Sequence, residues 1–199
     1  MQNMKFLDGH KYYMRLDDDS MFTGKLREDP FEMMEREKLK YAYIRADEDF
    51  YGIDLLWSWA KPYFDSATDP YTGFLDGQPG SWRYGGRQPY NNFHISSVKM
   101  WRSPLWRQFS AQMDKGHGFF KYRFGDANVH AVALSIMAKV GEVSKVHLPY
   151  GHNVKDLPDY GKWALVWDEY CKANPDYREA TGPAFYNNEV GLLKSKPKN

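Results

Sequence analysis

An aromatic and apolar run leads directly into three consecutive carboxylates near the start of the chain, in Tyr12-Tyr-Met-Arg-Leu-Asp17-Asp18-Asp19-Ser20. The first five residues have the composition of a β-strand, so the carboxylates fall at its end. Hard divalent cations prefer oxygen ligands, and carboxylates two residues apart can face one ion and, through it, a diphosphate. Asp17 and Asp19 are therefore candidate metal ligands. A solvated acidic turn is the alternative that the triplet alone leaves open.

A second polar group precedes an apolar, helix-forming stretch at Gly-Asp126-Ala-Asn-Val-His130. Asp126 is placed to cap a helix that begins at Ala127, and His130 would then lie four residues away near the same face. Polar side chains at a helix N-terminus can bind a ligand. An N-cap aspartate is also an ordinary structural feature, so both interpretations stand at this point.

Three histidines are further candidates. His147 and His152 flank a Leu-Pro-Tyr-Gly segment, where a neutral imidazole could complete a metal shell begun by carboxylates elsewhere or could simply be exposed. His94 lies within the strand-like Phe93-His-Ile95, and alternation does not decide whether it faces the core or a site.

The elements that must position these residues alternate between strand and helix, which predicts an α/β domain. Strands are expected at Tyr12–Leu16, Tyr41–Arg45 and Phe93–Val98, and helices at Phe31–Leu39, Ile53–Tyr63, Leu105–Met113, Ala127–Ala138 and Trp163–Lys172. The Gly-, Pro- and aromatic-rich stretch Pro62–Tyr90 is expected to be a substrate-lining loop, and Val143–Gly161 is expected to be irregular.

Length and composition are those of one folded domain spanning residues 1–199. Lys+Arg 27 balance Asp+Glu 26 without a basic stripe, which argues against a nucleic-acid partner. The single cysteine, Cys171, excludes an intrachain disulfide. No signal peptide is recognisable and no stretch approaches the roughly 20 apolar residues of a membrane span, so the chain as given is expected to be soluble.

Taken together, these segments resemble glycosyltransferase family 15, the fungal-type α-1,2-mannosyltransferases. The similarity covers about residues 4 to 153 in the family's order. Its most specific part is the Gly-Asp-Ala-Asn-Val-His segment that ends at His130, and other matches are Lys11-Tyr-Tyr-Met-Arg-Leu-Asp17, Ile53-Asp-Leu-Leu-Trp57, Tyr90-Asn-Asn-Phe-His-Ile95, Trp101-Arg-Ser103, Asp114-Lys115, Gly118-Phe-Phe120 and His147-Leu-Pro-Tyr-Gly-His152.

The resemblance implies a GT-A-like nucleotide-sugar transferase domain, with a mixed sheet flanked by helices. It also implies Mn²⁺, GDP-mannose as donor, a glycan acceptor, retention of anomeric configuration, and a membrane-tethered location in the Golgi lumen. Asp17 matches the family's metal- and diphosphate-binding glutamate, and Asp17-Asp18-Asp19 is closer to the general DXD motif. One of His147 and His152 matches the metal-ligating histidine, and which one remains open.

The resemblance also implies substrate contacts. The two catalytic candidates are Asp126, which would bind sugar hydroxyls, and His94, which would lie near the anomeric carbon. Further substrate-binding positions are Tyr90, Asn91, Asn92, Trp57, Arg123 and His130.

Two departures from the family pattern qualify these expectations. His94 stands where the family has a glutamate, the candidate nucleophile or stabiliser, and an imidazole cannot serve as the carboxylate of a double displacement. Either the reaction proceeds by front-face attack, or sugar, stereochemistry or activity has changed. Second, only a short segment precedes Asp17, whereas a GT-A sheet binds base and ribose on earlier strands.

We therefore expect the DXD-containing and acceptor-binding later portion of such a domain, apparently lacking the N-terminal nucleotide-binding strands. Its exposed sheet edge is expected to promote self-association. The predicted function is metal-dependent transfer of a hexose, mannose from GDP-mannose, to a glycan hydroxyl. The alternatives are a non-catalytic carbohydrate-binding module derived from the fold and a GT-A enzyme that uses a UDP-hexose.

Overall fold

The computed structural model describes residues 4–18 and 20–152. Contacts divide the chain into two units, Met1–Tyr150 and Gly151–Asn199, and the fold below is that of the first unit. In the second unit only Gly151 and His152 belong to the described residues. The predicted metal ligand Asp19, the predicted helix Trp163–Lys172 and Cys171 lie outside them.

Strands and helices alternate along the described residues, which confirms the predicted α/β class. After a 3-10 turn at Lys5–Leu7 come β1 (Tyr12–Leu16), β2 (Ser20–Phe22), α1 (Pro30–Arg36), β3 (Tyr41–Tyr43), β4 (Ala46–Glu48), α2 (Ile53–Asp65), β5 (Arg87–Pro89), β6 (Phe93–Ser97), α3 (Val98–Trp101), α4 (Pro104–Lys115), α5 (Gly118–Lys121), α6 (Asp126–Met137), β7 (Val143–Lys145) and β8 (Tyr150–His152).

The central sheet has the strand order β1-β6-β3-β7. β6 runs antiparallel to both of its neighbours, and β3 pairs in parallel with β7, so the sheet is mixed. His94 in β6 lies opposite Arg15 of β1 on one side and opposite Tyr43 of β3 on the other. Among the described strands, β1 is an edge strand.

Each face of the sheet packs against its own hydrophobic core. Phe93 and Ile95 of β6 join the smaller core with residues from α1, whereas Tyr41 and Tyr43 of β3 join the larger core with α2, α4 and α6. Because strand side chains alternate between faces, His94 points toward the larger core and is fully buried. Both faces of β6 are therefore buried, so the apolar–polar alternation of Phe93-His-Ile-Ser96 does not mark an exposed face.

Helix α6 carries a functional candidate to the edge of the larger core. The segment from Ala127 to Ile136 is buried all round, as expected for a helix enclosed by other elements. Gly125 is its N-cap and Asp126 its first residue, with the Asp126 Oδ1 accepting a hydrogen bond of 2.9 Å from the Ala127 amide. The expectation that Asp126 itself would cap the helix was wrong by one position.

β1 has the predicted bounds, but other elements begin or end at residues that differ from the prediction, each for a local structural reason. β6 ends at Ser97 because the Ser97 side chain caps α3. α2 continues to Asp65 with Pro62 inside the helix, so the predicted loop begins later. The segment after residue 143, expected to be irregular, contains β7 and β8. No helix among the described residues is both long and apolar enough to span a membrane.

Candidate functional site

Arg15 joins the two acidic candidates that the sequence placed far apart. Its Nε donates a hydrogen bond of 2.9 Å to Asp17 Oδ1, and its Nη1 donates one of 2.8 Å to Asp126 Oδ2. The chain of charges Asp17–Arg15–Asp126 is called the ionic chain below. The sequence reasoning missed Arg15, although Arg15 and Asp17 are two residues apart at the end of one strand, where alternation puts them on one face.

Two elements fix the geometry of the ionic chain. β1 brings Arg15 and Asp17 to the end of the central sheet, where the Asp17 amide donates a hydrogen bond of 3.1 Å to the Asn92 carbonyl. The first turn of α6 brings Asp126. An anionic group is favourable at that position because the exposed amides of a helix N-terminus carry partial positive charge.

Asp126 is held in its charged form. Its burial acts to raise the pKa, but the hydrogen bond and charge of Arg15, with smaller contributions from His130 and the Ala127 amide, hold the pKa below its usual value. The side chain is still 65% exposed. Asp126 therefore offers an accessible carboxylate acceptor at neutral pH, which suits the hydroxyls of a sugar.

Beneath the ionic chain lies a buried cluster of rings, made by Tyr13, Tyr41, His94, Trp101 and His130. The Tyr13 hydroxyl lies 3.0 Å from His94 Nε2, and the Tyr41 hydroxyl lies 3.1 Å from His130 Nδ1. The two imidazole centroids are 5.1 Å apart, and the Trp101 ring lies 4.6 Å from that of His130. This set is called the histidine cluster.

Both histidines of the cluster are neutral at pH 7. Burial lowers the pKa of His94 well below its usual value, and the nearby His130 and Arg15 lower it further. Burial also lowers the pKa of His130 to about 4, although the charge of Asp126 acts in the opposite direction. Because His94 is uncharged and fully buried, it lacks the negative charge that a carboxylate would supply at this position.

The other predicted substrate residues divide between the site and the core. Tyr90 stacks under the Arg45 guanidinium, 3.7 Å from the ring centroid, and the Asn92 carbonyl holds Asp17. Both polar atoms of the Asn91 side chain are buried without a hydrogen-bond partner among the described residues. An unpaired buried amide is costly, so a bound hydroxyl or water at Asn91 would be stabilising.

Trp57 lies away from these residues, on α2 within the larger core, where its ring packs 5.3 Å from that of Phe64. His130 is buried in the histidine cluster, as described above. Arg123 lies near the surface, with its guanidinium 4.5 Å from the centroid of Tyr51.

The proposed metal ligands are only partly within the described residues. The Asp17 side chain is partly exposed at the end of β1, and carboxylates are suitable ligands for Mn²⁺. His147 lines a cleft of about 630 Å³ between the segments at residues 25–37 and 144–149. His152 belongs to the second unit, and Asp19 is not described. Within residues 4–18 and 20–152, no three His, Cys, Asp or Glu side chains come together as a metal site.

Comparison with known proteins places this arrangement in a family. The sequence model described as "Glycolipid 2-alpha-mannosyltransferase" matches residues 1–180. O-glycoside alpha-1,2-mannosyltransferase homolog 3 of Schizosaccharomyces pombe is 26% identical over 178 residues, which are 82% of this chain and 47% of that protein. The O-glycoside alpha-1,2-mannosyltransferase omh1 of the same organism is 31% identical over 135 residues, 65% of this chain and 34% of that protein.

Solved structures show the same fold. Core-mannan synthase A (CmsA/Ktr4) from Aspergillus fumigatus, in its Mn/GDP form, superposes with a TM-score of 0.67 at 24% identity over 76% of this chain and 45% of that one. The mannosyltransferase Ktr4p from S. cerevisiae, in complex with GDP, gives 0.65 at 22% identity over 74% of this chain and 41% of that one.

These matches confirm the predicted GT-A-like fold and the predicted family. They also show that the chain spans about half, or less, of the length of the relatives it matches. By its match over residues 1–180, the chain belongs to the glycolipid 2-alpha-mannosyltransferase family.

Proposed function

We propose that the protein transfers a hexose, mannose from GDP-mannose, to a hydroxyl of a glycan acceptor. The observation that carries this proposal is the ionic chain, in which Arg15 links a strand-end carboxylate to a carboxylate at a helix N-terminus. Family membership and the matched fold support it. Relatives solved with GDP support a guanine nucleotide, and names that specify mannosyl transfer support mannose.

The proposed metal is Mn²⁺, held by Asp17, Asp19 and either His147 or His152. The fit rests on the chemistry of the donors, since carboxylates and a neutral imidazole suit this ion, and on the partly exposed position of Asp17. A homologous structure in a Mn/GDP form supports the choice of ion. When bound, the ion would stabilise negative charge on the departing diphosphate.

The chain's own residues would orient the sugar. Asp126 would accept hydrogen bonds from sugar hydroxyls. Arg15 would hold Asp126 in its charged form and would fix the positions of Asp126 and Asp17. Asn91 would pair its free amide with a ligand hydroxyl. Tyr90, Asn92 and Arg123 would contact the substrate nearby, whereas the buried His130 would support the site from beneath. Trp57 would act only through the packing of the larger core.

His94 shapes the proposed stereochemistry. Retaining transfer through a covalent sugar intermediate needs a carboxylate nucleophile, and the neutral, buried His94 does not provide one. We therefore propose that retention, if this protein shares it with the family, proceeds by attack of the acceptor on the face from which the diphosphate leaves. In that route His94 acts through its hydrogen bond to Tyr13, as a positioning residue.

The proposed domain portion and cellular location are those that the family suggests. We propose that residues 1–199 form the DXD-containing and acceptor-binding portion of a GT-A domain that acts in the Golgi lumen. The edge strand β1, paired only with β6 among the described strands, is a candidate surface for self-association because an open edge can pair with another strand.

The metal assignment can be tested by thermal unfolding. Mn²⁺ at about 100 times its dissociation constant should stabilise the chain by roughly 2.7 kcal/mol, and Asp17→Asn with Asp19→Asn should remove that stabilisation. Asp18→Ala is the matched control and should retain most of it, since strand alternation directs its side chain to the other face. A full Mn²⁺ effect in the double variant would contradict the assignment.

The same assay separates the two histidines. Alanine at the ligand, His147 or His152, should weaken Mn²⁺ binding without unfolding the protein, and alanine at the other should not. If neither substitution changes the affinity for Mn²⁺, both histidines are removed from the metal assignment.

A second candidate function is a non-catalytic carbohydrate-binding module. The neutral, buried His94 in place of a carboxylate favours it. Turnover of GDP-mannose in the presence of a mannoside acceptor decides between the two, because a binding module would bind the acceptor without releasing GDP. A donor screen that includes UDP-hexoses tests the remaining alternative.

A further inference from the structure

Aromatic side chains are exposed where the turn after β4 meets the segment before α6. Phe50 is 64% exposed, Tyr51 59% and Tyr122 36%. With Arg123, these residues are called the aromatic patch. Exposed large aromatic side chains that group together commonly mark a binding surface.

The patch is held in shape by its backbone. Gly52 has a φ of 65°, and a Cβ at this position would lie 2.8 Å from the Tyr122 carbonyl oxygen, so only glycine permits the close packing of the two segments. Arg123 also has a positive φ, 53°, which is uncommon for a residue with a side chain. This conformation places its guanidinium over the Tyr51 ring, at 4.5 Å from the centroid. The exposed rings therefore belong to a preorganised surface.

The patch adjoins the ionic chain through Asp49. The Asp49 Oδ1 accepts a hydrogen bond of 3.2 Å from the Tyr51 amide. The Asp49 Oδ2 lies 3.6 Å from the point where a Cβ on Gly125 would stand. Gly125 caps α6 directly before Asp126. A ligand bound at Asp126 could thus extend across Gly125 and Asp49 onto the aromatic patch.

The chemistry of this surface fits an oligosaccharide. The ring of Phe50 and the Tyr51 face opposite Arg123 can pack against the C–H faces of sugars. The Asp49 carboxyl and the Arg123 guanidinium can hydrogen-bond to hydroxyls. A phosphate-bearing ligand is less suited, because the Asp49 carboxyl lies between the patch and Asp126.

We propose that the aromatic patch is an acceptor subsite that binds a neutral mannose oligosaccharide, away from the hydroxyl that receives the transferred sugar. This inference rests on the proposed function, because it takes Asp126 as the residue that binds the hydroxyls of the transferred sugar. It assigns acceptor binding to Phe50, Tyr51 and Asp49, outside the loop after α2 that the sequence favoured.

The test is calorimetric titration of α-1,2-linked mannotetraose into the full chain. Tyr51→Ala should weaken binding about tenfold, as expected for an aromatic hot spot. Arg123→Lys keeps the charge but loses the planar group that stacks on Tyr51, and should weaken binding about threefold. Phe6→Ala is the control, since Phe6 is an exposed aromatic residue in the N-terminal 3-10 turn, and it should bind as the wild type does. Melting curves verify that each variant is folded.

A parallel titration with GDP-mannose and Mn²⁺ separates this inference from the proposed function. Loss of mannotetraose binding in Tyr51→Ala supports the subsite, whether or not the donor binds. Equal mannotetraose affinity in Tyr51→Ala and wild type overturns the subsite and leaves donor binding as the test of function. No mannotetraose binding by the wild type at millimolar concentration also overturns it. A patch that joins copies of the chain would show instead as a sedimentation change in Tyr51→Ala with unaltered mannotetraose binding, which overturns the subsite too.

Discussion

The ionic chain and the histidine cluster are neighbours on one face of the sheet, yet their chemistry is opposite. Tyr13 and Arg15 lie two residues apart on β1, and Asp17 follows the strand end. Tyr13 contacts the buried His94, whereas Arg15 contacts two partly exposed carboxylates. Burial keeps the histidines neutral. In the ionic chain, contact with Arg15 keeps Asp126 charged by lowering its pKa. A distance of two residues along a strand thus separates groups that stabilise the fold from groups available to a ligand.

The largest expected effect concerns the buried side of this comparison. Trp101 is 1% exposed, packs against His130 and Trp106, and donates a hydrogen bond of 2.6 Å from Nε1 to Ser96 Oγ. Trp101→Ala leaves a cavity and removes the hydrogen bond that the Ser96 hydroxyl accepts, so we expect a loss of about 3–5 kcal/mol in the free energy of unfolding by urea.

Phe6→Ala provides the control for that measurement. Phe6 is 73% exposed, and its truncation should change stability by less than about 0.5 kcal/mol. A loss below about 1.5 kcal/mol for Trp101→Ala would show that the histidine cluster is loosely packed and that the contrast between the two regions is wrong.

The second effect is pH dependence. The folded-state pKa of His130 is about 4, below the roughly 6.5 of an unfolded histidine. Between these values the unfolded chain binds the proton and the native chain does not, so stability falls as pH falls from 6.5 to 4. The contribution of His130 is on the order of 3 kcal/mol, since each pKa unit corresponds to about 1.4 kcal/mol.

The effects of the groups that face His130 on the pH dependence must be separated from the effect of its own titration. Asp126 raises its pKa and Arg15 lowers it, while the depressed pKa of Asp126 itself also removes stability in acid. The measurement is therefore the difference between wild type and His130→Gln in urea unfolding at several pH values. His130→Gln should show a shallower loss below pH 6.5, and His10→Gln, at an exposed histidine, should follow the wild type. Identical slopes in wild type and His130→Gln would mean that the buried imidazole is protonated in the native state.

The sequence predicted the strand that carries the ionic chain better than it predicted the short strands at the other edge. β1 has a continuous β-forming run that ends at a carboxylate, so its bounds were confirmed. β7 consists of Val143, Ser144 and Lys145, and three residues of mixed character give no periodicity. Their extended form depends on parallel pairing with β3, a contact with residues about a hundred positions earlier.

The sequence also selected Asp17 and Asp126 but not Arg15, which links them. Arg15 and Asp126 are separated by 111 positions, and no local pattern reports such a pairing. His94 was ambiguous because β6 is covered on both faces, so alternation did not distinguish a buried polar position from an exposed one. Its neutrality follows from burial among rings of β1, β3 and α6 and from the nearby charge of Arg15, none of which a local pattern reports.

The smallest expected effect on stability concerns the ionic chain. Changes there should instead have a large effect on ligand binding. Asp126 is mostly exposed and Arg15 is partly exposed, and ion pairs of this kind contribute at most about 1 kcal/mol. Asp126→Asn and Lys61→Gln, which breaks the exposed Lys61–Asp65 pair of α2, should therefore lower the free energy of unfolding by similar small amounts. The two variants should differ in how much GDP-mannose and Mn²⁺, added in large excess, raise their thermal stability. Lys61→Gln should gain as much thermal stability as the wild type, whereas Asp126→Asn should gain much less because it would lose the charged acceptor proposed for sugar hydroxyls. Equal stabilisation of both variants by the donor would place the sugar away from Asp126, and a loss of several kcal/mol in unliganded Asp126→Asn would show that the ionic chain supports the fold as the histidine cluster does.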